Sequence, residues 1–177
     1  VQDEDNMLEE LVEGITLSVE RAEAGTRVQV NVTHDIDATL EGIAGFIQGY
    51  NDVAKFINGQ FKVDPNTNKA GILASDGTIK TIMRSLQGVL GFSVKTGGKF
   101  STLADIGITT NPKSGELDMD EAKVKKALTD DYDSVANLFI RSKGNVGSAA
   151  RLSDQIKGLK DSQNGVLKAR SRSLETI

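Results

Sequence analysis

The sequence predicts an α+β fold, a mainly helical domain in the form of a coiled-coil-like bundle with a small β-hairpin, preceded by a β-hairpin that belongs to another domain. Ile15, Leu17 and Val19 alternate with Thr16 and Ser18, and Val28, Val30 and Val32 with Gln29 and Asn31, the period of two of half-buried strands. At Asp35 the period changes. Ile36, Leu40, Ile43, Ile47, Tyr50, Ala54 and Ile57 recur at spacings alternating four and three, the seam of a helix lying lengthwise on another. From Leu152 through Ile156, Leu159, Val166 and Leu174 to Ile177 the spacing is near-heptad, and no proline interrupts after Ala149.

Taken in chain order, the two alternating runs read as one hairpin joined by the polar stretch Glu20 to Arg27. Two strands are marginal alone, so this hairpin is expected to be the tail of another domain. Asp35 is the expected N-cap of the first long helix, on which Gly42, Gly45 and Gly49 leave room for a partner backbone or simply loosen the helix. A polar connection turning at Asp64-Pro65-Asn66 follows. Ser75-Asp76 then caps a second helix carrying Ile79, Ile82, Met83, Leu86, Val89 and Leu90. After Gly97-Gly98 and a short element at 103–106, Ile108 with Thr110 and Leu117 with Met119 flank Asn111 to Gly115, a second hairpin. Asp118 and Glu121 have capping-box spacing ahead of a helix bearing Val124 and Leu128, and Thr129 or Asp130 restarts one bearing Val135 and Leu138. The first and last helical seams have similar length, which predicts that the two pack on each other.

Composition removes most function classes. The 177 residues carry 21 Lys+Arg against 25 Asp+Glu, which disfavours sequence-independent nucleic-acid binding. With no cysteine and only His34, thiolate chemistry and multi-histidine metal cages are absent from the chain. Apolar runs such as Ile43 to Ile47 fall far short of a membrane span, and the start Val1-Gln2-Asp3-Glu4-Asp5 resembles no signal peptide. The absent initiator methionine leads us to expect a fragment. Up to Ile140 there are 13 bases and 22 acids, and from Arg141 onward 8 and 3. The basic end reads either as a solvated helix face or as an electrostatic seam for an acidic neighbour.

Candidate reactive groups are few. Asp64, Asn66 and Asn68 sit at positions 1, 3 and 5 of an EF-hand-like loop, but Lys69 replaces the turning glycine and Ser75 the closing glutamate. His34-Asp35 has the makings of an oriented base, without a Gly-x-Ser-x-Gly nucleophile to serve. Asp118, Asp120 and Glu121 are explained by helix capping and the helix dipole. No phosphate-cradling glycine motif occurs. Catalytic, cofactor and metal residues are therefore expected to be none, and assembly is favoured over catalysis.

The order of several segments is recognisable. Gly14-Ile15-Thr16-Leu17, Val28 to Val32, Phe46-Ile47-x-x-Tyr50-Asn51, Leu103 to Thr110, Gly115 to Val124, Ala127-Leu128-x-x-Asp131 and Leu138-Phe139 together resemble the carboxy-terminal half of the flagellar filament-capping family (hook-associated protein two, FliD family). The resemblance implies a non-enzymatic cap at the distal end of the bacterial flagellum, with a plate of β-rich domains and helical legs, that promotes flagellin insertion and polymerisation. It implies that residues 1–34 close a truncated β-rich domain and that 35–177 form the helical leg domain, with its small hairpin near 106–119. It implies an extracellular location at the filament tip after export through the flagellar secretion apparatus. The implied partners are further copies in a ring-forming homo-oligomer, flagellin and the hook-filament junction protein, with no nucleic acid, no membrane and no cofactor. The rival reading is a tip adhesin attaching to host or surface ligands. Family members are longer, so the chain alone is expected to be chiefly monomeric in dilute solution. The resemblance assigns no flagellin-contacting residue.

Overall fold

A computed structural model describes residues 7–12, 15–18, 25, 27, 29–61, 77–142, 144–161 and 165–175. The chain divides into two compact units, Val1–Thr33 and His34–Ile177.

In the first unit β1 (Met7–Val12) pairs antiparallel with β2 (Ile15–Ser18), with Leu8 opposite Leu17 and Val12 opposite Ile15. This corrects the expected pairing of 15–19 with 28–32. Residues 29–33 lie in no strand, and Val30 and Val32 are 59% and 63% exposed. Alternation marks a segment as able to pair, but not which edge it takes. The edge reached across Glu13-Gly14 costs less closure entropy than one reached across Glu20 to Arg27.

The second unit begins with α1 (Ile36–Phe61), capped as expected: the Asp35 carboxylate accepts the Ala38 N–H at 2.9 Å. Its alternating seam is the buried one, Leu40, Ile43, Ile47, Tyr50 and Ala54. The next described element, α2 (Gly77–Leu90), buries Ile82, Met83, Leu86 and Leu90. The expected Ser75-Asp76 cap, the Asp64 turn and the calcium-like loop lie outside the described residues.

A 3-10 turn at Ala104–Ile106 ends at Gly107, whose φ of 89° suits glycine, and leads into β3 (Ile108–Thr110). β3 pairs with β4 (Leu117–Met119) in the register Ile108 to Met119 and Thr110 to Leu117, the expected second hairpin. Asn111 organises its turn by accepting the N–H groups of Lys113 and Ser114. α3 (Glu121–Asp130) is capped by Asp120, which accepts from Lys123 at 3.1 Å, rather than by Asp118. Asp118 is already paired with Thr109 in the ladder, so the first acid clear of the strand takes the capping position. α4 (Tyr132–Phe139) is likewise capped by Asp131 rather than Thr129 or Asp130.

β5 (Arg141–Ser142) and β6 (Asn145–Val146) form a minimal hairpin before α5 (Ser148–Lys160) and α6 (Val166–Glu175). The expected uninterrupted final helix is thus two helices. At Asp161 the backbone leaves helical geometry with ψ of 131°, and buried Gly165 returns its N–H to the Asp161 carbonyl at 3.0 Å. A Cβ on Gly165 would strike the backbone of Asp161, so the near-heptad spacing spans a break that only glycine permits.

One apolar cluster unites the second unit, with Ile106, Ile108, Val124, Leu128, Val135 and Leu138 almost fully buried at its centre. Packing differs from the seam-on-seam expectation. The principal neighbours of α1 are α3, β4 and α2, whereas α5 lies chiefly on α2 and α4. The hairpin and α3 cover the α1 stripe, held there by polar latches that hydrophobic spacing does not encode.

Candidate interaction surface

Among the described residues, those singled out in the sequence for their chemistry have structural partners. His34 is exposed and stacks flat on Tyr132, with ring centroids 3.7 Å apart and planes 4° from parallel. Asp35, its supposed orienting partner, caps α1 instead. The Tyr132 hydroxyl meets Thr39 Oγ1 at 3.1 Å, and Thr39 donates in turn to the Asp35 carbonyl. This chain of contacts fixes the start of α1 on α4. Asp120 is a helix cap and Asp118 a ladder residue, and no group of three metal-ligating side chains gathers among the described residues.

The Tyr50-Asn51 pair joins α1 to the β3–β4 hairpin. Asn51 makes a two-point amide clasp, donating to the Leu117 carbonyl at 2.9 Å and accepting the Leu117 N–H at 2.7 Å. Buried Tyr50 donates to the Gly115 carbonyl at 3.0 Å, and Asn58 to Ser114 at 2.6 Å. Gly115 itself has φ of 71° and lies against Gln87 of α2. Burial pushes the Tyr50 phenol up to about 12. An unfolded tyrosine ionises near 10, so between the two values the unfolded chain binds fewer protons and stability falls as pH rises. Tyr50→Phe is expected to flatten that alkaline decline in urea-unfolding midpoints measured from pH 9 to 12. An unchanged slope would assign the decline to other groups.

A second polar hub anchors the loop ahead of the 3-10 turn. Ser134, 1% exposed, accepts the Phe100 N–H at 2.9 Å and donates to its carbonyl at 3.1 Å. Beside it Asp131 accepts the Lys99 N–H at 2.9 Å. That bond first, and the Ser134 N–H second, hold its carboxyl below the usual carboxylate range. Gly98 passes so close to Asp131 and Ser134 that a Cβ would collide with both. Spacing alone identified neither hub, because side-chain clasps onto backbone leave no period. The only sequence signal was Asn51 following a seam tyrosine.

What remains open is apolar surface. Gly42, Gly45 and Gly49 face space, with nothing near a built Cβ, so within the described residues no backbone takes the close approach they permit. A depression of about 690 Å³ lies between α1 and α4, where Gly42, Phe46 and Ile140 contribute to its walls. A second, of about 550 Å³, lies between Phe46 and α5. Phe46 and Ala149 line both, and the Phe46 ring meets Phe139 edge-on with centroids 5.8 Å apart.

Among the described residues, the second unit is a bundle latched by side-chain clasps onto backbone, with apolar troughs open at its surface. The family described as "Flagellar hook-associated protein 2 C-terminus" matches residues 1–177, and the chain belongs to that family. Among its relatives, the B-type flagellar hook-associated protein 2 of Pseudomonas aeruginosa is 31% identical over 175 residues, covering 96% of this chain and 36% of that protein. The flagellar hook-associated protein 2 of Salmonella typhimurium is 26% identical over 163 residues, 89% of this chain and 34% of that protein. The chain therefore spans about a third of these relatives. The same fold occurs in the crystal structure of the flagellar cap protein FliD D1-D2-D3 domains from Escherichia coli, at TM-score 0.77 and 24% identity, over 95% of this chain and 45% of that one.

Proposed function

We propose that these residues are the carboxy-terminal part of a flagellar cap protein, in which His34–Ile177 serves as a helical leg and the residues before it close a β-rich plate domain. Its work is mechanical. The cap sits extracellularly at the distal end of the filament after export, holds flagellin at the tip and promotes its insertion and polymerisation without catalysing a reaction. Further copies of the same protein in a ring, flagellin and the hook-filament junction protein are the partners.

The observation that carries this reading is the family match over residues 1–177, together with a fold shared with a cap protein. The physical character of the module agrees. A leg that must step along a growing tip needs modest, renewable contacts, for which shallow troughs rimmed by polar side chains are suited. No described helix is long and apolar enough to cross a membrane.

Deleting the gene that encodes these residues in its native host is expected to leave cells non-motile and shedding unpolymerised flagellin into the medium. Full-length filaments with normal swimming would overturn the proposal. Intact filaments with lost surface attachment would favour the adhesive reading instead.

A further inference from the structure

The loop between α2 and the 3-10 turn is held by polar ties, two of them carboxylates, more than by apolar packing. Val94 and Leu103, 2% and 3% exposed, anchor its ends, and none of residues 95–102 between them is buried. Phe100 alone among them packs on the core cluster. The Val94 N–H donates to the Ser101 carbonyl at 2.7 Å and closes the neck. Over α4, one oxygen of Asp131 accepts the Lys99 N–H at 2.9 Å while the other accepts the Ser134 N–H at 3.1 Å. At the far end the Asp105 carboxylate accepts the N–H groups of Ser101 and Thr102 at 2.9 and 2.8 Å. The Ser101 N–H, more than the Thr102 groups, holds the Asp105 carboxyl below the usual carboxylate range, as the Lys99 N–H does that of Asp131. Neutral ties complete the set: Ser134 with Thr96 and Phe100, and the Asn137 amide on the Thr96 carbonyl.

We propose that residues 95–102 form an acid-released strap: protonation of Asp131 and Asp105 frees the segment from α4 while the rest of the His34–Ile177 unit stays folded. A carboxyl depressed in the folded state gives stability that is present above the unfolded value of about 3.9 and is lost as pH falls through the folded one. The charged groups around the strap are its own Lys95 and Lys99, Asp131 and Asp133 on α4, Asp130 and Lys126 on α3, and Asp118, Asp120 and Lys123 beside Asp105. The lysines stay protonated throughout the acid range. Asp130 pairs with Lys126 and meets the strap only through its carbonyl, which accepts from Lys99 Nζ. Asp120 pairs with Lys123. Asp131 and Asp105 are thus the carboxylates whose titration cuts a tie to the strap. The latches of α1 on the β3–β4 hairpin are instead the Asn51 and Asn58 amides and the Tyr50 phenol, none of which titrates in acid. The ion pairs that join α1 to its neighbours, Lys55 with Glu116 and Lys125 with Asp37, are solvent-exposed and contribute little. Acid therefore loosens the strap selectively, as a local opening rather than a global one. This inference does not depend on the cap proposal, which deletion of the gene tests separately.

The test is amide hydrogen exchange of the whole chain, read by mass spectrometry of its peptides and corrected for the intrinsic pH dependence of exchange. Between pH 6 and pH 3 the opening of residues 95–102 is expected to rise about tenfold, the difference between charged and neutral acceptors, while peptides from 40–54 and 108–119 keep their protection. Asp131→Asn with Asp105→Asn retains the shape of both side chains and removes their titration. That double variant is expected to show the raised opening already at pH 6, with no further rise at pH 3. Unchanged protection of 95–102 down to pH 3, a persistent acid response in the double variant, or loss of protection in all peptides together would each overturn the proposal. Should the double variant lose its thermal transition in circular dichroism, Asp131→Asn alone is read instead. Its acid response is expected to be weaker than the parent's, and a response of full size would overturn the proposal.

Discussion

Ile47→Asp is expected to unfold the His34–Ile177 unit outright, read as loss of the cooperative thermal transition in circular dichroism. Ile47 is 7% exposed in the middle of the α1 seam, between Ile43 and Tyr50. An unpaired carboxylate buried there costs several kcal/mol, and the isoleucine packing is lost as well. Domain stabilities of about 5–15 kcal/mol leave little margin against that sum. Val53→Asp on the same helix is the control. Val53 is 44% exposed, so its substitution should leave the melting temperature within a few degrees of the parent. Equal effects at the two positions would mean that the α1 seam is not the face that carries the core.

The second large effect is expected at Asn51. Asn51→Ala removes both halves of the amide clasp and strands the Leu117 N–H and carbonyl in a partly buried site. Each orphaned group costs about 1–3 kcal/mol, so the variant should lose about 2–6 kcal/mol in urea unfolding. Asn51→Asp keeps an acceptor for the Leu117 N–H but sets a carboxylate against the carbonyl, and should not rescue. The loss should be strongly non-additive with Asn58→Ala, whose partner Ser114 lies in the same hairpin loop. Additive losses would show that the two amides hold separate pieces rather than one hairpin.

Much of the helical unit was legible from spacing. The seam from Leu40 to Ala54, the stripe from Ile82 to Leu90 and the hairpin about Asn111 to Gly115 each stand where period and turn chemistry put them. The acids at 118–121 announced a helix start but not its capping residue, because Asp118 was claimed first by the strand ladder. Neither the Asn51 clasp nor the Ser134 hub was legible. Each depends on one side chain meeting backbone far along the chain, and such a meeting needs no repeating pattern.

Period, turn residues and the order of recognisable segments were enough to establish the α+β class, the principal helices and membership of the hook-associated protein 2 family. Local steric and burial preferences act over one or two turns, so they are written directly into the spacing. Tertiary structure alone decided that β2 pairs with β1, that the final helix breaks at Asp161, and that α3 and the hairpin rather than α5 are the principal cover of α1. Those choices compare competing partners of similar hydrophobic pattern. They are settled by closure entropy, a glycine that permits close backbone passage, and polar clasps at single positions, quantities that no local window of the sequence contains.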